Sequence, residues 1–250
     1  MGTRAAYGFR INNEDKLTYN HWDGYPSYLG GELTKQFANF INSPKTRLVK
    51  RDADGVYIDG DLLCASQLDV ARKNVEALQL VSDDVPPTEE QKKQLEAYTN
   101  LEVNERTDDT WYCLLRESQG SISDILNGKL LYMENGNDFI VDSLFCEWAY
   151  IFNFDTQRLE MYKGFNKASD PRLHGRYANI KEEDRTEYLG CSLFLEIDFS
   201  VLTKLSDGQL EEVMGIIESD LYADEPKYFN GEPVMVTEKH DLVEFYLVAC

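Results

Sequence analysis

The stretch FCEWAYIFNFDTQRLEMYKG, residues 145–164, carries the clearest β signal in the chain. Aromatic side chains favour strands. The run 145–154 is followed by the turn Asp155-Thr156-Gln157 and a second run, 158–162, so a hairpin is predicted. Working outward, 5–11 and 16–22 flank the polar turn Asn12-Asn13-Glu14-Asp15 and predict another hairpin near the N-terminus. A third is predicted over 47–63, RLVKRDADGVYIDGDLL, around Asp54-Gly55. This last stretch approaches a calcium loop, with Gly55 at the sixth position and Asp52, Asp54 and Asp61 at the third, fifth and twelfth. Lys50 occupies the first position, where a ligand belongs, and that favours the hairpin.

Helices are predicted between these strands. Ser27 can cap one running to about residue 41, with Leu29, Leu33, Phe37, Phe40 and Ile41 on one face and a first turn weakened by Gly30-Gly31. Others are expected over 66–80, from a Thr88–Gln91 capping box to about residue 98, over 108–118 and 121–127, and over 206–218 behind Ser206. Further strands are expected at 130–133, 193–199 and 242–249. Strand pairs and helices cluster without the strand-helix alternation of a parallel sheet. The expected class is therefore α+β, a mainly antiparallel sheet built from hairpins with packed helices. A single domain over 1–250 is expected, with Ser82-Asp83-Asp84-Val85-Pro86-Pro87 (82–87) as a candidate internal linker.

With 250 residues, 42% of them hydrophobic, the chain can bury a core without disulfides or a structural metal. Its five cysteines, Cys64, Cys113, Cys146, Cys191 and Cys250, are odd in number and widely spaced, and read as reduced core thiols. No window approaches a membrane span and the first residues lack a signal-peptide apolar region, so a cytoplasmic protein without membrane contact is expected. Ala6 stands where a myristoylation signal at Gly2 wants Ser or Thr.

Lys and Arg number 25 against 45 Asp and Glu, a net charge of −20. Duplex binding depends on cations displacing counterions, so no direct duplex nucleic-acid binding is expected. The charge is uneven: successive blocks of fifty carry +3, −6, −7, −2 and −8. Residues 156–180 hold Arg158, Lys163, Lys167, Arg172, Arg176 and His174 against only Glu160 and Asp170. If this island met the basic N-terminal block in space, the two would focus a positive potential able to draw in a small phosphorylated ligand.

The densest chemistry lies in Tyr19-Asn20-His21-Trp22-Asp23-Gly24-Tyr25-Pro26, with Thr3 and Arg4 on the neighbouring strand. In a strand His21 and Asp23 would face one side. They are the candidate catalytic pair, a carboxylate orienting a general base. Arg4, His21, Trp22, Asp23 and Tyr25 are candidate ligand-binding residues, with Arg4 on a phosphate. Lys163, Lys167, Arg172, His174 and Arg176 extend that set, and Phe165 or Tyr177 could stack a base. The competing reading is structural: a rigid Asp-Gly turn, a packed Trp22 and a solvated loop.

Thr3 is unsuited as an N-terminal nucleophile because removal of Met1 would expose Gly2. The three histidines, His21, His174 and His240, and the cysteines lack zinc spacing, so no metal is expected. Cys146 with His174 would need the fold to join them. No phosphate loop is present and no cofactor is expected.

MGTRAAYGF (1–9) and YNHWDGYPSYLG (19–30) resemble the opening of uncharacterised phage, prophage and bacterial proteins that begin Met-x-Thr-Arg and soon show His-(Trp or Phe)-Asp-Gly-Tyr-Pro. WAYIFNFDTQRLEMYKG (148–164) resembles a later segment of such proteins. The family has no established activity, so the resemblance implies a viral or mobile-element origin and transfers no role to Thr3, Arg4, His21 or Asp23. Three functions follow as expectations. The foremost is a non-catalytic accessory protein that inhibits a host protein in the host cytoplasm, by counter-defence or by nucleic-acid mimicry through its acidic surface. The second is a nucleotide-like ligand binder or hydrolase using Arg4, His21 and Asp23. The third is a virion or morphogenesis component.

Overall fold

The structure is a computed structural model that describes residues 2–44, 66–99, 110–169, 174–181, 187–222, 228–229 and 232–233. The hairpin over 47–63 with its near-calcium loop, and the strand over 242–249, lie outside the described residues. In chain order the elements are β1 (Ala5–Ile11), β2 (Glu14–Asn20), a π turn (Pro26–Gly30), α1 (Gly31–Asn42), α2 (Gln67–Ala77) and β3 (Gln79–Val81). Next come α3 (Glu89–Thr99), α4 (Trp111–Leu115), α5 (Ser123–Leu126), β4 (Tyr132–Glu134), β5 (Trp148–Asn153) and β6 (Arg158–Lys163). The last are β7 (Ser192–Asp198), α6 (Phe199–Leu202), α7 (Asp207–Tyr222) and the short pair β8 (Tyr228–Phe229) and β9 (Glu232–Pro233). The fold is α+β, with a mixed, mostly antiparallel five-stranded sheet in the order β2-β1-β5-β6-β7.

Both described hairpins form, each with shifted bounds. Asn12 and Asn13 have φ of 52° and 63°. They make a two-residue turn of the kind whose twist suits a hairpin, so β2 begins at Glu14 rather than after a four-residue loop. It ends at Asn20, which leaves His21 and Asp23 outside the strand and removes the alternation that was to align them. Strand β5 starts three residues later than expected because the amides of Phe145 and Cys146 turn back onto the Asp142 carbonyl.

The two hairpins join through β1 and β5, which run parallel from Ala5↔Trp148 to Arg10↔Asn153. One sheet face carries Tyr7, Phe9, Ile11, Trp148, Tyr150, Phe152, Leu159 and Met161 into the main core. Helices α1, α2 and α7 cover it through Leu33, Phe37, Ala71, Val75, Leu210 and Met214. Phe37 stacks on Phe152 at 4.8 Å between ring centres. The opposite face, with Ala6, Leu17, Ala149, Ile151 and Tyr162, is closed by a 3₁₀ turn, Asn137–Val141, carrying Ile140 and by irregular chain carrying Cys146, Tyr177 and Cys191. Segment 82–87 is tied to α4 at two points: Trp111 Nε1 donates to the Val85 carbonyl at 2.8 Å and the Tyr112 amide donates to Asp83 at 3.2 Å. Residues before and after it, Ala71 and Leu95 among them, share the main core.

Helix ends follow local chemistry. The Ser66 hydroxyl accepts the Asp69 amide, and Thr88 with Gln91 forms the expected capping box in both directions. Ser206 and Gln209 make a second box at α7. Helix α2 stops at Ala77 rather than at residue 80 because Lys16, reaching from β2, donates to the carbonyls of Val75, Glu76 and Leu78 at 2.9, 2.9 and 2.6 Å. The freed chain then pairs as β3 with β4.

At one end of the sheet the hairpin turns lock together. Asp155 accepts the amides of Asn12 and Asn13 at 2.9 and 2.8 Å and lies 3.4 Å from Arg72. Burial pushes its carboxyl up, but the Asn13 and Asn12 amides and Arg72 outweigh it, and the net shift is below the ordinary 3.8. A carboxylate with a lowered native pKa stabilises the fold above its unfolded value and ceases to do so as pH falls through its native value. Asp155→Ala is therefore expected to cost about 1 kcal/mol at neutral pH in urea unfolding. That difference should shrink as pH falls below 3.8.

Candidate functional site

The end of the sheet opposite the turns gathers the first cluster. Arg4 precedes β1 and His21 follows β2, and the pairing Ala5↔Asn20 sets them side by side. The Gly24 amide donates to the Thr3 carbonyl at 2.9 Å, and the Tyr150 hydroxyl donates to the Gly24 carbonyl at 2.9 Å. Asp23 sits at φ 51°, the left-handed conformation that Asp tolerates in turns. Asn20 Nδ2 donates to the Trp22 carbonyl, and a Cβ at Gly2 would stand 2.5 Å from the Trp22 ring. This part of the site is a built turn.

Within it His21 Nδ1 lies 2.7 Å from the Tyr19 hydroxyl, so the imidazole is oriented by a phenol two residues back, on β2. Rings run in a chain, Phe139–Tyr19 at 4.7 Å, Tyr19–His21 at 5.7 Å and His21–Trp22 at 4.3 Å. Trp22 is 64% exposed rather than packed on the core. Tyr25 is half-buried, 6.1 Å from Tyr28. The Arg4 guanidinium lies over Phe145 at 5.2 Å, and its amide donates to Glu147 at 3.3 Å.

The second island divides. Lys163 lies over Trp148 at 5.6 Å, at the same sheet end as Arg4, because the Glu147 amide donates to the Arg4 carbonyl and the Gly164 amide to the Glu147 carbonyl. Lys167 lies over Tyr188 at 5.6 Å. His174 is exposed, and its carbonyl accepts the Leu193 amide. Arg172 lies outside the described residues.

Arg176 goes elsewhere, onto the second face of the sheet. It reaches both carboxylate oxygens of Asp15 at 2.9 and 3.2 Å, Glu160 at 2.5 Å and the Tyr162 hydroxyl at 2.7 Å. Tyr162 and Tyr177 flank its guanidinium at 5.5 and 4.8 Å. Tyr177 donates to Asp15 at 2.6 Å, Arg10 pairs with Asp15 at 2.9 Å, and Asn153 donates to Glu160 at 2.6 Å. Burial works against the Arg176 charge, but Tyr177, Asp15, Tyr162 and Glu160 outweigh it and hold the guanidinium above its ordinary range. Burial raises both tyrosine hydroxyls, which stay protonated. Arg176 thus neutralises carboxylates of its own chain. From Arg4 to Arg10 along β1 is roughly 20 Å, so the Arg176 network and the Arg4–His21 cluster are distinct regions.

Cys146 is buried and its thiol donates to the Trp148 carbonyl at 3.2 Å. Its thiol neighbour is Cys191, whose pKa burial pushes up, an environment of structural rather than reactive thiols. Among the described residues no group of His, Cys, Asp and Glu is arranged to hold a metal ion. A recess beside Tyr7, Thr18, Ser118 and Glu134 has room for about one water.

Sequence reasoning did not identify Asp15 or Glu160 as partners of Arg176, nor the backbone of Phe165. That residue holds φ 54°, unusual for a bulky side chain, and is 50% exposed. The signal was present only as Gly164 before it, where a Cβ would stand 1.9 Å from the Cys146 carbonyl. No protein-family model, curated protein or solved structure matches the chain.

Removing one member of a buried ionic cluster leaves its partners uncompensated. Arg176→Ala is expected to cost about 3 kcal/mol in urea unfolding, and Arg176→Lys to recover only part of it because an ammonium cannot grip Asp15 with two parallel bonds. A loss below about 0.5 kcal/mol would mark the cluster as solvated.

Proposed function

We propose that the chain is a non-catalytic accessory protein of a phage or mobile element, which occupies a basic surface of a host protein in the host cytoplasm and thereby inhibits it. A surface that normally holds nucleic acid, in a counter-defence setting, fits this reading. The observation that carries it is helix α7. Its sixteen residues hold five Asp and Glu and no Lys or Arg, and Asp207, Glu211 and Glu212 are exposed. The helix is anchored by Leu210, Met214 and Ile217 in the core, so these three carboxylates are held in place on its exposed side. Lys35 links α1 to it, bonding Glu32 at 2.5 Å and Glu211 at 2.7 Å. Preorganised charge of one sign steers a basic partner and rejects acidic ones.

The nucleotide reading keeps Arg4, His21 and Trp22 as neighbours. Its second half is weakened because Arg176 is committed to Asp15 and Glu160. Its hydrolytic form is weakened because Tyr19, and not Asp23, holds the His21 imidazole.

The test is capture of host protein on the immobilised chain. A partner retained at about 50 mM salt should be released at about 500 mM salt, and also by added duplex DNA. Glu212→Lys, which leaves the Lys35–Glu211 link in place, should weaken capture at least tenfold while the circular dichroism and melting curve stay unchanged. Capture that ignores both salt and the charge reversal would overturn the reading, as would turnover of a nucleotide by the purified chain.

A further inference from the structure

The turn that follows Asp23 presents two tyrosine rings beside α7. The Tyr25 carbonyl accepts the amides of Tyr28 and Gly30 at 3.2 and 3.4 Å, which winds Pro26–Gly30 into the π turn. Irregular helical turns of this kind gather at functional sites. Pro26 and Leu29 are buried beneath it, and a Cβ at Gly30 would stand 2.8 Å from the Tyr150 ring. The turn therefore holds the Tyr25 and Tyr28 rings 6.1 Å apart and tilted by 52°, with Tyr28 54% exposed. Two carboxylates flank them. Asp23 is exposed, two residues before Tyr25, and one oxygen of Glu218 on α7 accepts the Ser27 amide at 3.0 Å. Burial, then Asp23 and Glu218, push the Tyr25 hydroxyl above its ordinary range, so both charges reach it. Glu218 follows Glu211 by two helical turns, about 10 Å further along the same side of α7.

Elsewhere the chain's aromatic rings already hold a cation of its own: Arg4 over Phe145, Lys163 over Trp148, Lys167 over Tyr188 and Arg176 beside Tyr162 and Tyr177. Among the described residues Tyr25 and Tyr28 hold none, and neither Asp23 nor Glu218 has an ion pair. Two neighbouring cations are engaged elsewhere. Arg4, whose backbone abuts Gly24, turns onto Phe145, and Lys35 bonds Glu32 and Glu211. A ring attracts a cation within about 6 Å of its centre, and one cation can satisfy that for both rings at once. A guanidinium suits the place better than an ammonium. It is flat and lies on a ring face, and its fork matches a carboxylate with both oxygens open, as those of Asp23 are among the described residues.

We propose that Tyr25, Tyr28, Asp23 and Glu218 form a binding site for one arginine side chain of the basic partner, its guanidinium lying against the tyrosine rings and paired with Asp23. This site rests on the reading of α7 as the surface that meets that partner, because Glu218 belongs to both.

The probe is N-acetyl-arginine amide, which carries a single charge, titrated at about 150 mM salt into the full chain with isotope-labelled tyrosine rings and followed by NMR. Of the 15 tyrosines, the two whose signals vanish in Tyr25→Phe and Tyr28→Phe should move and reach half-saturation below about 20 mM probe. N-acetyl-citrulline amide, similar in shape but uncharged, should move neither, and N-acetyl-lysine amide should bind at least threefold more weakly. Asp23 sits at φ 51°, a backbone that Asn also accepts, so Asp23→Asn removes the charge without disturbing the turn. Glu218→Gln likewise keeps an acceptor for the Ser27 amide. Asp23→Asn and Tyr28→Leu should each weaken binding of the arginine probe at least threefold, and Glu218→Gln at least twofold, with Tm unchanged. No host protein enters this titration. A chain that binds the probe here but captures host protein without regard to salt refutes the α7 reading and leaves the arginine site standing; the reverse pattern refutes the site alone. Two signals that stay still, shifts spread evenly over the tyrosines, equal binding of the lysine probe, or indifference to both Asp23→Asn and Tyr28→Leu would overturn the proposal.

Discussion

The backbone ladder between β1 and β5 sets the positions of nearly everything else. Each described hairpin is local, a strand and its immediate successor, and can be specified by a few turn residues. The parallel pairing from Ala5↔Trp148 to Arg10↔Asn153 is not local, since β2, α1 to α5, β3 and β4 intervene. Parallel neighbours need such a crossover. Once it forms, chain direction decides which groups meet. Both hairpin turns fall at one end, where Asp155 can take the Asn12 and Asn13 amides. The chain segments that enter and leave the hairpins, carrying Arg4, Trp22, Phe145 and Phe165, fall at the other.

The same ladder forces charges into a face that is otherwise closed. Glu160 is 4% exposed and Tyr162 is 1% exposed, two residues apart on β6 and so on the same side. A carboxylate at that depth requires a cation, and the arginines of β1 and β6 are engaged elsewhere, Arg10 on Asp15 and Arg158 on Asp198 and Glu196. The chain beyond β6 supplies Arg176, whose side chain passes between two tyrosine rings and also takes Asp15. The irregular chain that carries Tyr177 is therefore held to this face by the Arg176 guanidinium, and by Asn166, which donates to the Ala178 and Gly190 carbonyls at 3.2 and 2.8 Å.

How much of this was legible follows from how far apart the interacting residues lie. The Thr88–Gln91 box, the Ser66 and Ser206 caps and both described hairpins depend on residues within a few positions of one another, and their types announce them. The end of α2 was misread because its cause, Lys16, lies on another element. Arg176 was misread for the same reason. Counting charges along the chain put it in a basic island, while its counter-ion Asp15 stood 161 residues away in what read as a turn. The candidate cluster was half legible: Arg4, His21 and Trp22 do fall at one sheet end, because hairpin pairing carries them there, but the relation between His21 and Asp23 depended on where β2 stops. Phe165 was legible only as a loop aromatic, since nothing in its own identity announces a left-handed backbone.

Net charge is a sum, and the fold decides where it is displayed. Arg10, Arg72, Arg176 and Lys16 are all engaged near the turn end and the second face, on Asp15, Asp155, Glu160 and helix carbonyls. Cations used internally cannot offset carboxylates elsewhere, so the excess is concentrated on elements that lack cations, of which α7 is the clearest. The sheet end away from the turns escapes that excess because the segments there interleave Arg4, Lys163 and Lys167 with Asp23, Asp142 and Glu147. An acidic helix and an aromatic end of mixed charge are thus two outcomes of one allocation of a limited set of lysines and arginines.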